Sequence, residues 1–109
     1  VKEKARKVFI KSRDKHTCQY CLKKDVPLTL DHVVPKSQGG NNRRDNLITS
    51  CYGCNYGRQN QNFIEWCMHI ASKTGQSGTE IIDRIQTQIS KDYTGVRSKD
   101  QWAMIGGKP

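Results

Sequence analysis

A chain of 109 residues is long enough for one compact domain and too short for two of ordinary size. Apolar residues make up 34% of it and the mean hydropathy is −0.82, so no stretch has the length of a membrane span or a signal peptide, and an intracellular, non-secreted protein is expected. Nineteen Lys and Arg against ten Asp and Glu leave a net charge of +9, which favours a polyanionic partner over charge that merely keeps the domain in solution.

The basic character is densest at the N-terminal end. Val1, Ala5, Val8 and Phe9 fall on one stripe of helical spacing, with Lys2, Arg6, Lys7, Lys11 and Arg13 in other directions. This predicts a basic amphipathic helix over residues 2–13, with Lys7, Lys11 and Arg13 as candidate phosphate contacts. Cys18-Gln19-Tyr20-Cys21 then reads as a tight turn, and Val26 to Val34 suits a short strand pair with His32 on it or at its end. Ser37-Gln38-Gly39-Gly40-Asn41-Asn42 is rich in residues that tolerate unusual backbone angles and marks a surface loop.

Leu47 and Ile48 re-enter the core, and a helix starting near Cys51–Cys54 would carry Asn55 and Arg58 on adjacent turns, although Gly53 and Gly57 weaken it. Phe63, Trp66, Cys67, Ile70 and Ala71 define a core-facing helix. Gly75-Gln76-Ser77-Gly78 ends it. Ser77 and Glu80 have capping-box spacing, and Ile82, Ile85 and Ile89 predict a further helix over 79–91. From residue 93 onward the sequence carries no clear signal.

Two C-x2-C pairs with 29 residues between them, Cys18/Cys21 and Cys51/Cys54, offer four thiolates, a complete tetrahedral set for a structural zinc. Two disulfides and a free thiol are the alternative, but paired spacing without a signal peptide favours metal. A saturated zinc has no open position for chemistry, and with its thiolates it adds about −2 to the net charge. Cys67, on the apolar helix stripe, reads as a small buried hydrophobe. His16 reads as solvated and His69 as structural. The adjacent Asp31 and His32, and Asn55 just past the last paired cysteine, are therefore the candidates for reactivity.

The string Cys18-x2-Cys21, Leu30-Asp31-His32-Val33-Val34-Pro35-Lys36-Ser37-x-Gly39-Gly40, Asn46-Leu47, Cys51-x2-Cys54-Asn55-x2-Arg58 resembles the HNH endonuclease family in its four-cysteine zinc form. The likeness covers residues 6–60. It implies an α+β fold: a small zinc-stapled ββα-metal core, here with an N-terminal basic helix and additional C-terminal helices. It implies one nuclease domain over 1–109, with its core motif in 16–62 and a helical extension in 63–109, working in the cytoplasm of a bacterial or phage-infected cell. By position His32 is the first histidine of the motif and the general base, Asn46 the central asparagine that holds the loop orienting His32, and Asn55 the last motif position. Asp31 and Asn55 would bind a catalytic Mg²⁺ or Mn²⁺. Arg58, where many relatives have Lys, would face the scissile phosphate.

The chemistry is consistent on its own terms. Phosphodiester hydrolysis needs an activated water and stabilisation of charge on the phosphorane and the departing 3′-oxygen. A neutral imidazole is a competent base at pH 7, and two oxygen ligands suit Mg²⁺, which keeps several waters. The implied partner is double-stranded DNA, with Lys36, Arg43 and Arg44 as further contacts. One site per chain cuts one strand per encounter, so cutting both requires a homodimer or a second visit, and sequence choice could reside in an additional specificity domain. A zinc-stabilised DNA-binding module without activity is the rival reading, and a redox or disulfide-rich domain a weaker one.

Overall fold

In the computed structural model, which describes residues 2–106, the sheet is a single antiparallel pair: β1 (Leu28–His32) and β2 (Leu47–Cys51), with Asp31 opposite Ile48 and His32 opposite Leu47. The helix α2 (Tyr52–Arg58) follows β2 directly and completes a ββα unit. Around it lie α1 (Lys2–Arg13), α3 (Phe63–Thr74), α4 (Gly78–Ser90) and a short α5 (Lys99–Met104). The fold is mixed α+β, and among the described residues no helix is long and apolar enough to cross a membrane.

The strand pair does not form within residues 26–34. Pro27 has no N–H to give a ladder, and β1 pairs instead with the segment beyond the loop, the in-register bond from Val33 N to Asn46 O (2.9 Å) carrying the pairing one step past His32. All five residues of β2 are buried, whereas β1 is half-covered except at Asp31. Because the helix starts at once after the strand, Cys51 ends β2 and Cys54 lies in the first turn of α2.

The residues of α1 match their predicted span, but the buried face differs from the predicted stripe. Val8 and Phe9 are 60% and 40% exposed, while Ile10 is fully buried. Val1 lies outside the described residues. Polar groups, rather than the apolar stripe, set this rotation. The Asp14 carboxylate, 1% exposed, accepts from the Thr49 amide (2.8 Å) and from Arg13 Nε (2.8 Å). Arg13 also donates to Leu47 O (2.7 Å), Arg44 O (2.9 Å) and Asp92 (3.0 Å). Arg13 is thus turned inward as a clamp between α1, β2 and the tail, which corrects its reading as a phosphate contact.

The core is built from Val33, Val34 and Ile48 beside the predicted faces of α3 and α4. Phe63, Trp66, Cys67, Ile70 and Ala71 are all buried. In α4 the buried line is Ile81, Ile85 and Ile89, and Ile82 is only partly covered. Ser77 caps α4 by accepting from the Glu80 amide (3.0 Å). Gly57 lets α2 pack on α3, since a Cβ there would lie 3.0 Å from the Trp66 ring.

The tail, silent in the sequence, folds against the loop between the strands. Thr94 N and Oγ1 donate to Asp45 Oδ2 (3.2 and 3.3 Å). Arg97 donates to Asp45 O from a guanidinium lying 4.4 Å from the Trp102 ring centre and 5.1 Å from that of Tyr93. Gln101 Nε2 reaches Gly39 O (3.0 Å), and Ile105 is fully buried. Residues 94–105 thereby brace the loop that precedes β2.

Candidate active site

Two centres lie on opposite ends of the ββα unit. At the first, the Sγ atoms of Cys18, Cys21, Cys51 and Cys54 all lie within 4.8 Å of one another, and no cysteine among the described residues is in a disulfide. Cys21 Sγ and Cys51 Sγ are 3.7 Å apart. A tetrahedral zinc with Zn–S bonds of about 2.3 Å requires sulfurs about 3.8 Å apart, so the set fits such an ion with little movement. The amides of Cys21 and Cys54 point at Cys18 Sγ (3.5 Å) and Cys51 Sγ (3.4 Å), as donors to thiolates would. A hydrogen bond from Cys54 pulls the Cys18 thiol down to about 4, and burial pushes Cys21 up to about 11. All soft sulfur with no open ligand position, the cluster has the chemistry of a site that could hold a structural metal.

At the second centre, Asp31 and His32 end β1. Asp31 is 6% exposed, and its Oδ2 accepts from Tyr20 Oη (2.5 Å) and Arg58 Nη1 (2.7 Å). Burial and the Asp31 charge hold the Tyr20 hydroxyl well above its ordinary range, so it remains a donor. Arg58 is itself 1% exposed and fully engaged: Nε donates to Gln61 O (3.0 Å), Nη1 also to His32 O (2.8 Å), and Nη2 to Val33 O (2.8 Å). Arg58 therefore does not face outward toward a phosphate, as the resemblance implied. It neutralises Asp31 from behind and pins the backbone of His32 and Val33. Tyr20→Phe removes one charge-assisted bond to a buried carboxylate and is expected to lower stability by about 1.5–3 kcal/mol in urea unfolding.

With Oδ2 held from behind, Asp31 Oδ1 is left for the cleft of about 290 Å³ that Asp31 lines with His32, Lys36, Asn55, Gln59 and Asn60. Asn55 is half-buried, and its Nδ2 is 3.5 Å from Leu30 O. That orientation turns its amide nitrogen to the strand and leaves its oxygen as the free donor atom. Two hard oxygens beside an imidazole suit Mg²⁺ or Mn²⁺, with water and phosphate to complete the shell.

His32 Nε2 lies 2.7 Å from Asn42 Oδ1. With a carbonyl oxygen as partner, Nε2 would be the ring donor, leaving Nδ1 without its hydrogen. Sequence reasoning passed over Asn42 and Tyr20: one sat in a run that read only as loop, the other between two cysteines. Asn46 holds that loop closed. Its Oδ1 accepts from Val34 N (2.8 Å), and its Nδ2 donates to Val34 O (3.0 Å) and Asn41 O (2.9 Å). Gly40 passes so close to the strand end that a Cβ there would meet Val34 O at 1.8 Å.

Of the candidate DNA contacts, Lys7, Lys36, Arg43 and Arg44 are exposed and Lys11 is partly so. Lys36 shares the cleft of His32, and Arg43 and Arg44 follow Asn42 on the loop. His16 is exposed, and His69 lies on Trp66 with ring centres 5.4 Å apart. Cys67 is fully buried, and burial raises its thiol to about 12, an unreactive state.

Residues 18–61 match the family model described as HNH endonuclease. Two curated relatives are both named CRISPR-associated endonuclease Cas9. The protein from Corynebacterium diphtheriae is 35% identical over 89 residues, covering 76% of this chain and 8% of that protein. The one from Actinomyces naeslundii is 42% identical over 52 residues, covering 47% of this chain and 4% of that protein. The chain thus spans less than a tenth of the length of these relatives. No solved structure gives a significant match.

Proposed function

Residues 18–61 form an HNH endonuclease domain, and on that footing we propose that the chain hydrolyses DNA phosphodiester bonds by a one-metal mechanism with His32 as general base. The observation that carries this is the cleft joining Asp31 Oδ1, Asn55 and His32, behind which Arg58 and Tyr20 fix the carboxylate. Asp31 and Asn55 would hold Mg²⁺ or Mn²⁺, and this ion when bound offsets charge on the phosphorane and on the departing 3′-oxygen.

The chain's own groups do the remaining work. His32 Nδ1 removes a proton from a water, whose oxygen forms the new P–O bond as the P–O3′ bond breaks; the departing O3′ takes a proton from solvent and His32 later returns its own to solvent. The products are a 3′-hydroxyl and a 5′-phosphate. Asn42 keeps the ring in the tautomer with a free Nδ1, and Asn46 keeps the loop that carries Asn42 in place. Lys36 at the rim, with Arg43 and Arg44 along the loop and Lys7 and Lys11 on α1, supplies positive charge for the duplex. The four cysteines are assigned to zinc, which holds shape only. One such site per chain cuts a single strand per encounter.

Purified protein with Mg²⁺ or Mn²⁺ is expected to convert supercoiled plasmid to nicked and then linear forms, and to leave it intact in EDTA. Plasmid that stays supercoiled across divalent ions while the protein still retains it on a gel would assign the chain to the DNA-binding module instead.

A further inference from the structure

A second cleft lies on the far side of Asn42. It is an open groove of about 490 Å³, lined by Arg6 of α1, Asn42, Arg43 and Arg44 of the loop, and Asp92 and Thr94 of the tail. Three separate segments therefore converge to bring three arginines to the lining of one groove. The single carboxylate there is already committed, since Asp92 Oδ2 accepts from Arg13 at 3.0 Å. Arg44 is held in place by the Phe9 ring, with its guanidinium carbon 4.0 Å from the ring centre, and by its own carbonyl, which accepts from Arg13. The result is an arginine-rich groove whose one carboxylate is engaged through Oδ2 by Arg13.

Its position gives it meaning. Asn42 lines this groove and also contacts His32 Nε2, so one side chain links the groove to the imidazole of the neighbouring cleft. We infer that the groove formed by Arg6, Arg43, Arg44 and Thr94 binds one backbone phosphate of the DNA, on the strand path flanking the phosphate that reaches His32. This rests on the nuclease reading for the identity of the polyanion and adds a defined second anchor. Guanidinium pairs suit a phosphodiester because their forked N–H groups match two of its oxygens, whereas a lysine-lined surface offers point charges. Occupancy of this anchor would also set the register of the strand, because the loop that grips the flanking phosphate is the loop that orients the imidazole.

The test separates this anchor from the chemistry. Binding of a short fluorescent duplex is measured by anisotropy in EDTA, where no cutting occurs, over a series of salt concentrations. Neutralising one phosphate changes the slope of log K against log [salt] by about 0.9. Arg6→Gln and Arg43→Gln are each expected to weaken binding, and together to reduce the slope by about 1. Lys24→Gln, which removes the same charge outside the groove, is expected to leave the slope unchanged. A slope that is the same in wild type and in the Arg6→Gln/Arg43→Gln protein, or that falls equally with Lys24→Gln, overturns the anchor. A plasmid that wild type fails to cut while the slopes behave as stated defeats the nuclease reading and leaves the anchor standing.

Discussion

Replacing His32 by alanine is expected to slow plasmid nicking by about 10²–10⁴-fold, the range lost with a general base, while DNA retention and zinc content stay near wild type. The separation is expected because His32 contributes little to the scaffold with its ring. The imidazole is half-buried and its hydrogen bond is to the exposed Asn42. What the fold takes from this residue is backbone: the carbonyl that accepts from Arg58, and the register opposite Leu47. Alanine keeps both. Asp31 stays oriented, because Tyr20 and Arg58 hold its Oδ2 independently of the ring. Single-turnover nicking under saturating protein reads the chemical step, and gel retention in EDTA reads binding. A variant that loses zinc and unfolds would make His32 a structural residue, and one that cuts at the wild-type rate would move the base elsewhere.

The parts of this architecture that were legible in the sequence are those whose cause is local. The spacing of Phe63, Trp66, Cys67, Ile70 and Ala71 repeats within one helix, and Ser77 needs only Glu80 three residues later to cap the next. The paired cysteines announce their geometry in the same way, since a C-x2-C turn is itself half of a metal site. Asn46 was legible only through the resemblance; its amide, which both donates and accepts, bonds to the Val34 backbone and Asn41 O.

The parts that were not legible depend on partners far away in the chain. Arg58 is turned inward by Asp31, 27 positions earlier, whose buried carboxylate accepts from its guanidinium. The rotation of α1 follows from Asp14 reaching the Thr49 amide, 35 positions on, which no periodicity of Val8 and Phe9 could reveal. The tail was silent because its anchor is Asp45, which Thr94 and Arg97 reach across about half the chain. In each case one long-range polar contact overrides a local apolar or motif-based expectation. Asn42 belongs here too, since an asparagine in a Gly-Asn run becomes meaningful only once β1 brings His32 to it.

The two metal centres are expected to respond to removal in opposite ways. Withdrawing the catalytic ion with brief EDTA treatment should stop cutting, restore it on adding Mg²⁺, and leave the thermal midpoint within a degree or so of the untreated protein. The candidate ligands Asp31 and Asn55 are already held by Arg58, Tyr20 and Leu30 O, so that site does not need an ion to keep its shape. Losing the cysteine-bound metal should instead unfold the domain. Structural zinc contributes apparent binding energies of about 10–16 kcal/mol in small zinc domains, comparable to the whole stability of about 5–15 kcal/mol typical of a native protein. Here it would tie the Cys18–Cys21 turn to the end of β2 and the start of α2, which are the two segments that also carry Tyr20 and Asn55. Cys54→Ser should therefore abolish the cooperative thermal transition in circular dichroism, and elemental analysis should find one zinc per wild-type chain and little in the variant. A Cys54→Ser protein that melts like wild type would show that the cysteines are dispensable. An EDTA-treated protein that keeps its zinc but melts early would show that the ion at Asp31 is structural, and that the division of labour between the two centres is wrong.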